Sequence, residues 1–120
     1  MTARLIETSV SFQDPVAIIK LVGEIDGFSE NALNEAYSEA EGWEPDAVLL
    51  DFSAVDYINS TGIALIVNLL SRSRRAQRKL MICGLSPHFQ EIFRITRLSD
   101  FIEIFANEAE ALAKNLPAQF

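Results

Sequence analysis

Two short apolar runs, AVLLDF at 47–52 and KLMICG at 79–84, bracket the segment GIALIVNLLSRSRRAQRK, and this triplet constrains the fold more than any other stretch. Short continuous apolar runs read as strands buried on both faces of a sheet. Between them the apolar residues come first and the cations last. That order suits a helix over about 60 to 78, because cations are favoured near a helix C-terminus. Strand, helix and strand with short joints make a parallel βαβ unit, with a right-handed crossover.

The flanking segments extend this unit. LIETSVSF at 5–12 alternates with period two, Gln13-Asp14-Pro15 supplies a turn, and VAIIKLV at 16–22 is apolar again, so a hairpin of two strands is expected. After GEIDGF, Ser29 stands as a helix N-cap before ENALNEAYSEA, where Leu33, Ala36, Tyr37 and Ala40 recur at helical spacing. Further on, Ser86-Pro87 opens SPHFQEIFRITRL as a helix with Pro at its first position, and FIEIF at 101–105 reads as an edge strand. Asn107 with Glu110 resembles a capping box for a last helix, NEAEALAKNL, that stops before Pro117. The expected architecture is an α/β domain with a mixed sheet of four or five strands and helices packed on it.

In open α/β sheets, binding sites form outside the carboxyl ends of the strands. Two loops qualify, GEIDGFS with Glu24 and Asp26, and SAVDYINSTG with Asn59, Ser60, Thr61 and Gly62. Asn59 is a natural N-cap, which makes the next three residues the first of a helix whose N–H groups lack intrahelical partners. Such a place favours an anion, and a phosphate on Ser60 would be tolerated there. Gly62 costs up to ~1 kcal/mol inside a helix relative to Ala, and its missing side chain lets another backbone or a partner come close. A plainer reading leaves Asn59 as a cap alone and Gly62 as an aid to packing.

Charge narrows the class of partner. The net charge of −7 argues against nucleic acid and against an anionic membrane surface. Residues 21 to 71 hold ten acids and no Lys or Arg, so both candidate loops lie in an acidic half that suits a basic partner or is simply a solvated face. Arg72, Arg74, Arg75, Arg78 and Lys79 form the opposite cluster; without interleaved aromatics it reads as a solvated helix end, with contact to an acidic partner as the alternative.

Catalysis finds little footing. Ser60 is not in a G-x-S-x-G elbow, no Walker A sequence occurs, and GEIDG is not a dinucleotide fingerprint. The single cysteine, Cys83, ends an apolar run and is expected to be a buried small hydrophobe; with one His, His88, it offers neither a disulfide nor a metal site. No apolar leader opens the chain, and its apolar stretches are far below the ~20 residues of a membrane span, so the expected location is cytoplasmic.

DFSAVDYINSTGI at 51–63, preceded by GEID at 23–26 and a two-strand hairpin, resembles the STAS domain, in particular the small stand-alone bacterial anti-sigma factor antagonists. The resemblance covers essentially the whole chain, including SPHFQEIFRITRLSDFIEIF and NEAEAL, and implies a single STAS domain over 1–120, no enzyme activity and no cofactor. In that family the unit ends in Asp-Ser-Ser-Gly or Asp-Ser-Thr-Gly, and the first hydroxyl is phosphorylated by a partner serine kinase that is also the anti-sigma factor. The resemblance therefore implies that Ser60 is the phosphorylated residue, and that Glu24, Asp26, Asn59, Thr61 and Gly62 belong with it to the partner-binding face. An ATP-binding anti-sigma kinase would be the main partner and a PP2C-type phosphatase a further one. Asn59 stands where the family usually has Asp, which keeps the cap but removes a charge beside the hydroxyl. STAS domains also serve as non-phosphorylated subunits that bind a small ligand or scaffold a transport or stress-signalling complex, and that is the alternative function.

Overall fold

The alternating start folds as expected. In the computed structural model, which describes residues 5–115, β1 (Glu7–Gln13) runs antiparallel to β2 (Val16–Ile25). Val10 and Phe12 pack inward, while Glu7, Ser9, Ser11 and Gln13 face solvent. Next come α1 (Glu30–Glu41), β3 (Ala47–Ile58), α2 (Ser60–Arg75), β4 (Lys79–Cys83), α3 (Pro87–Ile95), β5 (Glu103–Phe105) and α4 (Glu108–Asn115). The expectations for residues 1–4 and for a stop at Pro117 fall outside the described residues.

The five strands lie in the order β1-β2-β3-β4-β5, and every pair after the first is parallel. Because the order advances in one direction, crossovers of a single hand carry α1, α2 and α3 onto the same face. There they bury Ile19, Leu21, Leu50, Phe52 and Ile82 of the sheet against Leu33, Tyr37, Ile66, Leu69 and Phe93. The Tyr37 and Ser73 hydroxyls, both fully buried, hydrogen-bond to each other and join α1 to α2. On the reverse face, Ala111 and Leu112 of α4 belong to a smaller cluster with Val16, Ile18, Leu49, Met81 and Cys83.

Several boundaries differ from the sequence reading, each for a local reason. β3 continues six residues past Phe52, because β2 also runs on to Ile25 and supplies its backbone partners through two register shifts. The bulges let Val55 and Ile58 both turn inward despite their spacing of three. α2 stops at Arg75 rather than 78: Gln77 adopts φ +55, Arg78 N–H donates to the Ser73 carbonyl at 2.8 Å and Gln77 N–H to the Arg74 carbonyl at 3.1 Å. This is a Schellman ending, formed here without the usual glycine. Ser29 precedes α1 but its side chain does not cap it. A 3-10 turn at Gly27–Ser29 intervenes, where Asp26 is the cap, accepting from Phe28 N–H at 2.9 Å while Ser29 Oγ accepts from Asp26 N–H at 3.0 Å. A second 3-10 turn, Leu98–Asp100, shortens the expected edge strand to Glu103–Phe105. No helix among the described residues is long and apolar enough to cross a membrane.

Candidate functional site

The two candidate segments meet at the carboxyl ends of β2 and β3. In the parallel register Glu24 lies opposite Tyr57 and Ile25 opposite Ile58, and Asn59 N–H donates to the Ile25 carbonyl at 3.2 Å. Asn59 is therefore a one-residue joint between strand and helix rather than part of a loop. Its Oδ1 accepts from Gly62 N–H at 2.8 Å and its carbonyl from Ile63 N–H at 2.9 Å. The N–H groups of Ser60 and Thr61 remain without an acceptor among the described residues, as the first residues of a helix must.

Ser60 and Thr61 are exposed, Asn59 is half-buried and Gly62 is buried. The glycine answers the question its position raised. A Cβ there would sit 2.3 Å from the Ile25 carbonyl oxygen and 2.8 Å from Ile58 Cγ1, so the close approach is to the chain's own backbone. The start of α2 is thus wedged onto the end of β2. The 3-10 turn closes the other side: a Cβ on Gly27 would reach within 3.5 Å of Thr61 Cγ2.

Charge and apolar surface surround this hydroxyl pair. Glu24 and Asp26 are half-buried, and Glu30 and Asp56 are exposed. Asp26 is occupied with its cap, and the Ser29 hydroxyl that completes the box donates to the Glu24 carbonyl at 3.2 Å, which stiffens the turn. Two aromatics missed in the sequence reading flank the site: Phe28 is 82% exposed and Tyr57 50%. The sequence held no clear signal for them, because both segments also supply buried residues, Ser29 beside Phe28 and Ile58 beside Tyr57, and the 3-10 turn and the β-bulges decide which side chains face out.

Elsewhere the remaining readings fall into place. Arg72 pairs with Glu41 and stacks over Tyr37, Arg78 donates to the Pro45 carbonyl at 2.8 Å, and Lys79 lies 3.7 Å from Glu103. Much of the basic cluster is therefore engaged within the fold. Cys83 is buried, and its thiol is pushed up to about 12 by burial first, then by the charges of Asp51 and Glu108. His88 is exposed, and among the described residues no group of three or more His, Cys, Asp or Glu is placed to hold a metal.

The STAS domain model matches residues 7–111, and the chain belongs to the STAS domain family. It is 34% identical to the anti-sigma-B factor antagonist of Listeria monocytogenes over 81% of this chain and 85% of that one. Among solved structures it superposes on an anti-sigma factor antagonist from Mycobacterium paratuberculosis with a TM-score of 0.78, at 23% identity over 91% of this chain and 92% of that one. It also superposes on the Bacillus cell fate determinant SpoIIAA in its phosphorylated form, with a TM-score of 0.70 at 17% identity over 90% of this chain and 98% of that one.

Proposed function

We propose that this chain is an anti-sigma factor antagonist whose binding face is switched by phosphorylation of Ser60. The single observation that carries the reading is the placement of Ser60: an exposed hydroxyl at the first residue of α2, held by the Asn59 cap and bordered by Phe28 and Tyr57. Its relatives include an anti-sigma-B factor antagonist, and one structural neighbour is known in a phosphorylated form.

In this reading the unphosphorylated face, made of Glu24, Asp26, Asn59, Ser60 and Thr61 with the two aromatics, docks on an ATP-bound anti-sigma serine kinase and frees the sigma factor. Gly62 contributes from beneath by seating the helix. The kinase transfers the γ-phosphoryl group of ATP to Ser60 Oγ, ADP leaves, and the hydroxyl proton passes to a base of the kinase. The phosphate brings about 1.5 to 2 negative charges and three acceptor oxygens into the interface. At that helix start the free N–H groups tolerate it in the free protein. Within a packed interface the same charge must be desolvated, and the complex is released. A PP2C-type phosphatase restores the hydroxyl, and the whole cycle runs in the cytoplasm with residues 1–120 acting as one domain.

One observation favours the second reading, a STAS subunit that binds a small ligand or scaffolds a complex without being phosphorylated. Asn59 removes the carboxylate that its family usually places beside the hydroxyl. Incubation with the cognate kinase and ATP decides between them. One phosphate per chain by intact mass, lost in Ser60→Ala, supports the switch; full labelling of Ser60→Ala would sink the assignment, and no labelling of the wild type would favour the scaffold.

A further inference from the structure

Among the described residues Phe28 is the most exposed large apolar side chain, at 82%, yet the turn that carries it is tied down at both ends. Asp26 Oδ1 accepts from the Phe28 N–H at 2.9 Å, and the Asp26 carbonyl accepts from the Ser29 N–H at 3.0 Å. Ser29, only 1% exposed, closes the turn from beneath. Its Oγ accepts from the Asp26 N–H at 3.0 Å and donates to the Glu24 carbonyl at 3.2 Å. That last bond fastens the turn to the end of β2, while Gly27 faces the Thr61 methyl group at the start of α2. An aromatic ring held in water on a fastened turn does nothing for the core. It has the form of a binding anchor whose ordering cost is met before the partner arrives.

Two uses for Asp26 fit such a site: a charge that the partner reads, or the acceptor that holds Phe28. The charge is duplicated, because Glu24, Glu30 and Asp56 give this end of the molecule the same sign. The acceptor is not, because the Phe28 N–H is bonded to Asp26 Oδ1. We propose that Asp26 and Ser29 are positioning residues that act on the partner through Phe28, and that the negative charge of Asp26 is dispensable. The inference rests on the binding face proposed above and narrows it. Phe28 touches the partner, and Ser29, too buried to touch anything outside the chain, still decides how well the partner binds.

A double-mutant cycle tests it, using the full chain and its cognate anti-sigma kinase with a non-hydrolysable ATP analogue, so that no phosphate is transferred. Asp26→Asn keeps an oxygen acceptor in place and should bind within about twofold of the wild type, since Asn and Asp are comparable caps. Asp26→Ala and Ser29→Ala each break the box and should bind about tenfold more weakly. In a Phe28→Ala background Asp26→Ala should cost nothing further, because residues that act through one another are not additive. A direct charge contact predicts the reverse: Asp26→Asn as weak as Asp26→Ala, and a loss undiminished when Phe28 is gone. Either result overturns the proposal.

Nitrogen-15 relaxation follows the turn without any kinase. The amide order parameters of Gly27 and Phe28 should stay near about 0.85 in the wild type and Asp26→Asn, and fall toward about 0.6 in Asp26→Ala and Ser29→Ala. Equal order in all four proteins also overturns the proposal. A wild type that binds no kinase removes the proposed function instead, and the order parameters then decide the positioning by themselves. Near-UV circular dichroism checks that each variant is folded, and Ser29→Ala takes the place of Asp26→Ala in the cycle if that variant is not.

Discussion

At position 62 an added methyl carbon would meet the Ile25 carbonyl oxygen at 2.3 Å, so either the strand end or the helix start must move to admit it. Gly62→Ala should therefore cost about 1 to 3 kcal/mol, the usual penalty of overpacking, despite the better helix propensity of alanine. A urea titration would show this as a lower midpoint at unchanged slope; an unchanged midpoint would mean that the wedge is absent. Asn59→Ala, which strips the cap from Gly62 N–H, should cost about 0.5 to 2 kcal/mol, while Asn59→Asp should hold the wild-type midpoint. The cap was legible in the sequence because an amide before a helical run has few other uses. The glycine's role was not, since whether the close neighbour is a partner or the chain itself depends on where β2 ends. Cys83 gives a pH signature. Its folded pKa of about 12 lies above the ordinary 9.0, so the native state holds a proton that the unfolded chain gives up first. Its contribution is complete below pH 9 and is lost as the pH rises toward 12. The stability difference between wild type and Cys83→Ala, followed by urea titration from about pH 8 to about pH 10.5, should shrink at the alkaline end.

Among the elements, those with strong periodicity or continuous apolar runs were legible: the hairpin, the βαβ unit and the Pro87 helix start all stand near their expected positions. What could not be read were features fixed by neighbours. The extension of β3 through Ala54–Ile58 needs β2 beside it, and a run as polar as SAVDYI gives no hint of two bulges. The end of α2 is a similar case, because Gln77 carries none of the chemistry that marks a left-handed residue. That position offers a direct check. Gln77→Gly should raise stability by about 0.5 to 1 kcal/mol, since a left-handed backbone costs an L-residue roughly 1 to 2 kcal/mol and glycine avoids most of it. A thermal melt that is unchanged or lower would show that the backbone there differs from the Schellman geometry.

For the whole molecule, the two segments singled out in the sequence lie together at one end of the sheet, but the shape of that end could not be read. The polar run and the acidic half both pointed to the strand C-termini, whereas the aromatic rim emerged only once the 3-10 turn placed Phe28 outward. If this rim anchors the partner, Phe28→Ala and Tyr57→Ala should each weaken binding to the cognate anti-sigma kinase by about 2 kcal/mol, roughly 30-fold in Kd by titration calorimetry. Ser60→Asp should weaken it at least about tenfold, and Ser60→Ala should bind like the wild type; equal affinities for all three would remove the switch. The wedge at Gly62 has a consequence for how such a protein diversifies. It ties the hydroxyl's position to the buried frame, where change is costly, and leaves the rim at 28 and 57 outside that frame, where change is nearly free. Duplicate copies in one cell could therefore keep an identical trigger and drift apart in whom they answer, by exchanging two surface side chains.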